Sequence, residues 1–173
     1  MRARLGVRSA GIRVELREIK LRAKPEAFLQ TSPTATVPAL RTAGGVLDES
    51  LDIMIWALSQ NDPERWLDMP EDGFARIEQF DGPFKTALDH YKYASRYPDV
   101  DASENRATAA ALLMTIEDRL DGQRFLFGDD PKLADMAILP FVRQFAHVDL
   151  DWFEQQPWHR VSTWLTAFKN SDR

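Results

Sequence analysis

Two short stretches decide the fold predicted for this chain: Thr36-Val37-Pro38-Ala39-Leu40 and, after a Gly44-Gly45 turn, Asp48-Glu49-Ser50-Leu51. The first predicts a short strand with proline at its entrance, because proline lacks the N–H that an interior ladder position needs. The second predicts a helix start that Ser50 caps. Free N–H groups and the helix dipole make such a start attractive to an anion.

A ligand site is predicted where this strand edge and this helix start meet. A cis Val37–Pro38 bond, which is accessible before proline, would turn the N–H and C=O of Val37 outward. Val37 would then pair with an extended peptide as a one-residue strand addition. A strand edge for a peptide backbone, beside a helix start for a carboxylate, suits a small anionic peptide.

Composition indicates a globular chain without disulfides or thiolate metal sites. The 173 residues include 44% hydrophobic residues and no cysteine, and this length allows one domain or two small ones. The histidines His90, His147 and His159 show no ligand spacing, so no metal site is expected. No apolar run approaches the ~18–20 residues of a membrane span, so no membrane partner is expected.

Charge is unevenly distributed along the chain. Residues 1–24 contain eight basic and two acidic residues, a net charge of +6, whereas the whole chain carries −5. An arginine-rich start is typical of organelle presequences, but Ile12, Val14 and Leu16 alternate as in a strand and argue against that interpretation. The acidic remainder argues against nucleic acid as a partner.

The first part of the chain is predicted to mix helices with strands. A helix over Met1–Ala10 ends at Gly11, and a strand follows at Ile12–Leu16. A short helix at Pro25–Leu29 precedes a hairpin of Val37–Leu40 with Val46–Leu47. Leu51, Met54, Ile55 and Leu58 share one face of the next helix.

Everything after a proline-rich acidic stretch is predicted to be helical. We expect a first domain at residues 1–60, a linker at 61–72 and a helical domain at 73–173. The predicted helices cover Ile77–Tyr91 with a kink at Gly82-Pro83, Ala109–Leu120 with Asp101 and Glu104 as a capping pair, Leu133–His147, and Trp158–Phe168.

These motifs carry a family resemblance that covers nearly the whole chain. Thr36-Val37-Pro38 followed by Glu49-Ser50 resembles the glutathione-binding half of cytosolic glutathione transferases. Lys24-Pro25-Glu26 resembles the omega-type variety, in which a lysine meets the glycyl carboxylate of glutathione. In the second half, the motifs that resemble a bacterial branch of the family are Asp89-His90-Tyr91-Lys92-Tyr93, Leu133-Ala134-Asp135 and Pro140-Phe141-Val142-Arg143-Gln144-Phe145.

The resemblance implies an α+β thioredoxin-like domain, then an all-α helical domain, with glutathione as co-substrate. It implies glutathione contacts from Lys24, Val37, Pro38, Glu49 and Ser50. Tyr91, Tyr93 and Tyr97 are candidates for a substrate pocket, but helix packing is the preferred interpretation of this cluster. Asp135 is interpreted as a structural capping carboxylate rather than a catalytic acid.

The resemblance further implies a first strand and a catalytic cysteine ahead of Met1. In omega-like members a Cys-Pro-Phe/Tyr-Ala segment runs into a helix similar to Met1–Leu5. The missing strand would lie between Ile12–Leu16 and Val37–Leu40. No catalytic residue is therefore predicted in this chain. We expect a mis-assigned start or a fragment, with a loosened first domain, poor glutathione binding and no cysteine-type activity.

The leading interpretation is a soluble, cytoplasmic enzyme of the glutathione S-transferase type that forms a homodimer. Its expected chemistry is thiol transfer, deglutathionylation or conjugation, with a small electrophilic or disulfide second substrate. The alternative is a non-catalytic module, in which the same fold serves as a glutathione-binding protein or a scaffold.

Overall fold

The structure, a computed structural model, describes residues 1–171. Its strands are β1 (Leu40–Thr42) and β2 (Gly45–Leu47). Its α-helices are α1 (Arg2–Ser9), α2 (Glu26–Leu29), α3 (Ser50–Gln60), α4 (Asp72–Gln79), α5 (Lys85–Lys92), α6 (Ala102–Arg119), α7 (Leu133–Ala146), α8 (Leu150–Glu154) and α9 (His159–Lys169). The chain divides into two compact units, residues 1–67 and residue 68 onward.

Helices α1 and α3 form the packed core of the first unit. Leu5, Met54 and Leu58 are buried, and a Cβ added to Gly6 would lie 2.7 Å from the Cα of Met54. Glycine at this position therefore lets the two helices approach closely.

The predicted hairpin is confirmed, with its first strand shifted toward the C-terminus. Leu40 pairs with Leu47 and Thr42 with Gly45 in antiparallel register, so the strand begins at Leu40 and not at Val37. The Thr42 hydroxyl accepts from Gly44 N–H at 3.1 Å and donates to Gly45 O at 3.0 Å, which closes the turn.

The strand predicted at Ile12–Leu16 is wrong for the described residues. No backbone–backbone hydrogen bond joins residues 13–19 to another described residue. Arg17 Nε donates to Glu15 Oε1 at 2.8 Å, so these two side chains, two positions apart, lie on the same side of the segment. Alternation predicts an extended backbone, but a strand also needs a neighbour with which to form a ladder.

Helices α4 and α5 are joined by a π-helical turn over Phe80–Phe84, where the sequence predicts a kink. Pro83 has no N–H to donate within the helix, so the hydrogen-bond ladder must change there. Phe80 and Phe84 are buried and their ring centroids lie 4.5 Å apart. The irregular turn thus places two aromatic rings in the helical core.

Carboxylates hold the helix starts of the second unit. Asp101 caps α6 by accepting from the N–H groups of Ser103 at 2.7 Å and Glu104 at 3.2 Å, as the sequence predicts, whereas the Glu104 side chain does not complete the predicted capping pair. Buried Glu117 on α6 accepts from Arg160 N at 3.1 Å and Val161 N at 2.9 Å, and so holds the start of α9.

Asp135 is a fully buried structural carboxylate. Its Oδ2 accepts from Lys132 N at 2.9 Å, and its Oδ1 accepts from Leu126 N at 2.9 Å and Trp164 Nε1 at 3.0 Å. Burial raises the pKa of Asp135 to about 6, against the opposing effect of these donors. The predicted capping role is confirmed.

None of the helices in the described residues combines the length and apolar character that a membrane span requires.

Candidate functional site

The loop that precedes Val37 is held by hydrogen bonds from its own residues and from the hairpin. Ser32 is buried and its hydroxyl donates to Thr36 O at 3.2 Å. The Thr34 hydroxyl donates to Asp48 Oδ2 at 2.8 Å and also lies 2.5 Å from the Thr36 hydroxyl. The loop is therefore hydrogen-bonded to Asp48, the residue before Glu49.

Ala35 adopts a left-handed backbone conformation within this loop. Its φ is +54°, a value that L-residues with a Cβ rarely take. The Ala35 N–H donates to Ser32 O at 3.1 Å, and this hydrogen bond stabilises the conformation. The loop geometry is thus fixed ahead of Val37 by both backbone and side-chain bonds.

Val37 presents an open backbone, as the sequence predicts. The Val37–Pro38 peptide bond is cis. The Val37 residue is 47% exposed, and no backbone–backbone hydrogen bond among the described residues uses its N–H or C=O. An extended peptide can pair with these two groups as it would with a sheet edge.

The start of α3 differs from its prediction in one detail. Ser50 is the first residue of the helix, Glu49 occupies the cap position, and no side chain caps the helix. The prediction that Ser50 caps α3 is therefore wrong. The helical ladder begins with Ile53 N–H, which donates to Glu49 O at 3.1 Å. The N–H groups of Ser50, Leu51 and Asp52 lie ahead of that ladder and remain suited to an anion.

Three acidic side chains surround this helix start. Asp48 accepts from Thr34, Glu49 is exposed, and Asp52 lies in the first turn of α3. Carboxylates here repel a simple anion but attract an ammonium group. A ligand whose end carries both an ammonium and a carboxylate satisfies the acidic side chains and the helix N–H groups together.

Val37 and Ser50 lie at the same end of the hairpin. Leu40 pairs with Leu47 at this end of the hairpin. Val37 lies three positions before Leu40, and Ser50 lies three positions after Leu47. Antiparallel strands bring such positions out at one end. The structure therefore brings Val37, Pro38, Glu49 and Ser50 to a common region.

Lys24 is the glutathione-contact candidate that the structure does not connect to this region. It is exposed, and it lies in the segment ahead of α2, after a turn that Ala23 N–H closes onto Lys20 O at 2.9 Å. Its proposed contact with a glycyl carboxylate stays a prediction.

The three candidate tyrosines contact different neighbours in the second unit. The Tyr91 ring lies 5.7 Å from both the Phe145 ring and the Arg106 guanidinium. The other two have separate partners: Arg96 over Tyr93 at 4.4 Å, and His90 beside Tyr97 at 4.5 Å. These contacts agree with helix packing, the interpretation preferred from the sequence, and the substrate-pocket role stays a prediction.

Sequence reasoning missed the link between Thr34 and Asp48. Asp48 belongs to a motif that predicts the site but Thr34 does not, and no spacing rule relates a loop threonine to an aspartate 14 positions later. Groups of three or more potential metal-ligating side chains are absent from the described residues.

Comparisons with known proteins match both halves of the chain. Residues 1–66 match the model described as glutathione S-transferase, N-terminal domain, and residues 75–167 match the corresponding C-terminal domain. Mouse glutathione S-transferase omega-1 is 26% identical over 176 residues, covering 94% of this chain and 69% of the mouse protein.

Solved structures show the same fold. The ternary complex of BphK, a bacterial GST, aligns with a TM-score of 0.82 at 17% identity and covers 99% of this chain and 88% of the bacterial chain. Poplar glutathione transferase F1 aligns with a TM-score of 0.79 at 20% identity, over 99% and 87% of the two chains. A glutathione S-transferase-I bound to lactoylglutathione aligns with a TM-score of 0.76 at 21% identity, over 98% and 88%.

The predicted fold class, a thioredoxin-like domain followed by a helical domain, is confirmed by these matches. The family models together account for most of the sequence, and the second alone spans more than half of it. The chain belongs to the glutathione S-transferase family.

Proposed function

We propose that the region of Val37, Pro38, Glu49 and Ser50 binds glutathione as the co-substrate of a glutathione-dependent transferase. The observation that carries the proposal is the open backbone of Val37 at the same end of the hairpin as the uncapped start of α3. Family membership supports it, because the matched N-terminal model covers all four residues.

Glutathione fits the chemistry of this region at each of its parts. Its peptide backbone would run antiparallel to Val37 and exchange hydrogen bonds with that residue. Its γ-glutamyl end carries both a carboxylate, for the N–H groups at Ser50, and an ammonium, for the neighbouring acidic side chains. The glycyl carboxylate is the proposed partner of Lys24.

Calorimetric titration of glutathione into the Ser50→Ala variant tests the site. Loss of one hydrogen bond to a charged group should weaken binding by about tenfold or more. Ser59→Ala is the matched control, since Ser59 is an exposed serine of the same helix whose hydroxyl donates to Trp56 O at 2.8 Å. Equal affinities for the parent and both variants would remove Ser50 from the site.

The omega-like, cysteine-type chemistry is the finer part of the proposal. The similarity to the mouse omega-1 protein supports it. Thiol transfer of this type needs a thiolate, and the sequence contains no cysteine. We therefore expect this chain to show no thiol transfer to a small glutathione mixed disulfide, and a measurable rate would contradict the cysteine-type assignment.

A non-catalytic glutathione-binding role is the second candidate function. The absence of cysteine from the sequence favours it over thiol transfer. A conjugation assay with glutathione and a small electrophile separates the two candidates. Binding by calorimetry without turnover supports the binding role, and turnover at saturating glutathione supports the enzyme.

The proposal also places the protein in the cytoplasm as a two-fold homodimer with a small electrophile or disulfide as second substrate. Two-fold pairs are the commonest oligomers, which supports the dimer. Light scattering at micromolar concentration tests it, and a monomer mass would contradict it.

A further inference from the structure

A chain of hydrogen bonds holds the loop residues Thr34 and Thr36 ahead of Val37. The Thr34 hydroxyl donates to Asp48 Oδ2 at 2.8 Å, so its only proton is engaged there. The Thr36 hydroxyl lies 2.5 Å from the Thr34 hydroxyl and is therefore the donor between the two. The bonds thus run in one direction, from Thr36 through Thr34 to the carboxylate of Asp48.

A separate bond from Ser32 directs the N–H of Val37. The Ser32 hydroxyl donates to Thr36 O at 3.2 Å, and Ser32 is buried, so little water competes for this bond. The C=O of Thr36 and the N–H of Val37 belong to the same planar peptide unit, in which the two groups point in opposite directions. The side chain that holds Thr36 O therefore also sets the direction in which Val37 offers its N–H to a ligand.

The bond from Thr34 to Asp48 joins the two halves of the proposed site. Asp48 lies between β2 and the start of α3, whose first residue is Ser50. The hairpin already connects the segment of Val37 with the segment of Ser50. The side-chain bond adds a second connection between the same two segments. Two connections restrict the movement of Val37 relative to Ser50 more than one does.

We propose that Thr34 is a positioning residue that determines ligand specificity. Through Asp48 it holds Val37 at a fixed separation from the start of α3, and this separation selects a γ-glutamyl peptide. The proposal rests on the proposed function, because it requires Val37 and Ser50 to bind one ligand. Thr34 acts through Asp48 and not by contact with the ligand.

The γ-glutamyl linkage suits two binding points that are held apart. In glutathione, the ammonium and carboxylate of the glutamyl residue share one carbon, which a methylene arm separates from the first peptide bond. In α-glutamyl-cysteinyl-glycine, an isomer with the same atoms and net charge, the ammonium stands next to that peptide bond. Only glutathione can therefore bring both charged groups to the start of α3 while its backbone pairs with Val37. A ligand that binds at one point gains nothing from the fixed separation, whereas a ligand that spans both points does.

Calorimetric titration of the two peptides into the parent and into Thr34→Val tests the proposal. Valine keeps the shape of threonine and lacks its hydroxyl. The parent should prefer glutathione to the isomer by about tenfold or more. Thr34→Val should weaken glutathione binding by about fivefold and leave binding of the isomer within about twofold of the parent. Thr34→Ser retains the hydroxyl and should restore the preference.

A double-mutant cycle with Asp48→Ala tests whether Thr34 acts through Asp48. Asp48→Ala removes the acceptor, so it should lower the preference for glutathione at least as far as Thr34→Val does. Adding Thr34→Val to Asp48→Ala should then change the preference by less than about twofold, because the bond is already absent. A further loss of about fivefold in the double variant would show that Thr34 acts independently of Asp48 and would overturn the proposal.

Thr163→Val is the matched control. Thr163 is an exposed threonine of α9 in the second unit, and its hydroxyl donates to His159 O at 2.9 Å. This substitution should leave both affinities unchanged.

The outcomes separate this proposal from the proposed function. A parent that binds glutathione, with a Thr34→Val variant of unchanged preference, overturns the positioning role alone. Equal weakening of both peptides in Thr34→Val also overturns it, since that result indicates a general loss of structure in the first unit. A parent that binds both peptides equally overturns the selection of a γ-glutamyl peptide. A parent that binds neither peptide overturns the proposed function together with this inference.

Discussion

The two compact units differ in how far each satisfies its own polar groups. In the helical unit, Asp135 and Glu117 are buried and accept from backbone N–H groups at helix starts. In the first unit, no backbone–backbone hydrogen bond within residues 1–171 involves Val37 or residues 13–19. A unit that is closed by its own contacts serves as support, whereas open backbone groups can be used by a ligand or another chain.

The largest expected effect on this difference between the units comes from removing the Asp135 carboxylate. Asp135→Ala leaves three donors without an acceptor: Leu126 N–H, Lys132 N–H and Trp164 Nε1–H. We expect a loss of about 3–5 kcal/mol in the free energy of unfolding, since each buried unpaired donor costs about 1–3 kcal/mol. Urea denaturation followed by circular dichroism measures it.

Asp135→Asn serves as the graded control for that experiment. Its amide oxygen can still accept from Leu126 and Trp164, so its loss should be smaller, about 1–3 kcal/mol. Equal losses for both variants, or a loss below about 1 kcal/mol for alanine, would contradict the role assigned to the carboxylate.

The pH dependence of stability tests the same buried carboxyl group in the helical unit. Burial raises the pKa of Asp135 from its ordinary value of 3.8 to about 6, so the folded state binds this proton more tightly than the unfolded state. The stability that protonated Asp135 contributes to the folded state is therefore fully present below pH 3.8 and is lost as the pH rises through about 6. The expected loss is about 3 kcal/mol over roughly two pH units.

The difference between the parent and Asp135→Asn isolates this titration, because asparagine does not ionise. The parent should lose stability relative to the variant between pH 4 and pH 6, and the difference should be constant above pH 7. Parallel stability curves would show that Asp135 is ionised throughout this range in the folded state.

A substitution at Gly6 probes the packed part of the first unit. The added Cβ of Gly6→Ala would meet the Cα of Met54 at 2.7 Å, and backbone cannot move aside as a flexible side chain can. Overpacking costs about 1–3 kcal/mol, and alanine recovers up to about 1 kcal/mol of helix propensity. We expect a net loss of about 1–2 kcal/mol, measured by hydrogen exchange of the α1 and α3 amides.

Gly82→Ala is the matched control in the helical unit. Apart from its chain neighbours and its own helix backbone, no heavy atom lies within 4 Å of a Cβ added there, so the only cost expected is that of a Cβ before Pro83, and it should be smaller than the cost at Gly6. If Gly6→Ala also changes exchange in α7 by the same amount, the two units unfold together and the contrast drawn above does not extend to stability.

The smallest expected effect comes from Ala35. Glycine tolerates the φ of +54° at no steric cost, whereas a residue with a Cβ is strained there by about 1–2 kcal/mol. Glycine also adds freedom to the unfolded chain, so Ala35→Gly should stabilise the first unit by only about 0.5–1 kcal/mol. Slower exchange of the β1 and β2 amides would show it, and faster exchange would contradict the relief of strain.

The sequence predicts local features well where a residue type has one dominant preference. Gly44-Gly45 predicts the hairpin turn, Asp101 predicts the start of α6, and Gly82-Pro83 predicts an irregular helix. Contacts that depend on distant chain segments are not predictable in this way. The bond from Trp164 to Asp135 and the bond from Thr34 to Asp48 each join residues whose separation carries no pattern.

The errors in the prediction of the candidate site have the same origin. The alternation of Ile12, Val14 and Leu16 predicts an extended segment. Such a segment becomes a strand only where its backbone forms hydrogen bonds with a neighbouring strand. Ser50 is a preferred cap residue, yet the helix includes it and places Glu49 at the cap. Propensity thus locates the helix start to within one residue, while tertiary structure decides which residue occupies which position.

The hydrogen bond from the Trp164 indole to Asp135 makes this part of the core observable by spectroscopy. The indole N–H donates to the carboxyl group of Asp135, and burial raises the pKa of that group to about 6. A bond to a carboxylate is stronger than a bond to a neutral carboxyl group, so the resonance of the indole proton should move as Asp135 gains its proton. Trp164 therefore acts as a natural NMR reporter of the cap of α7, without any added label.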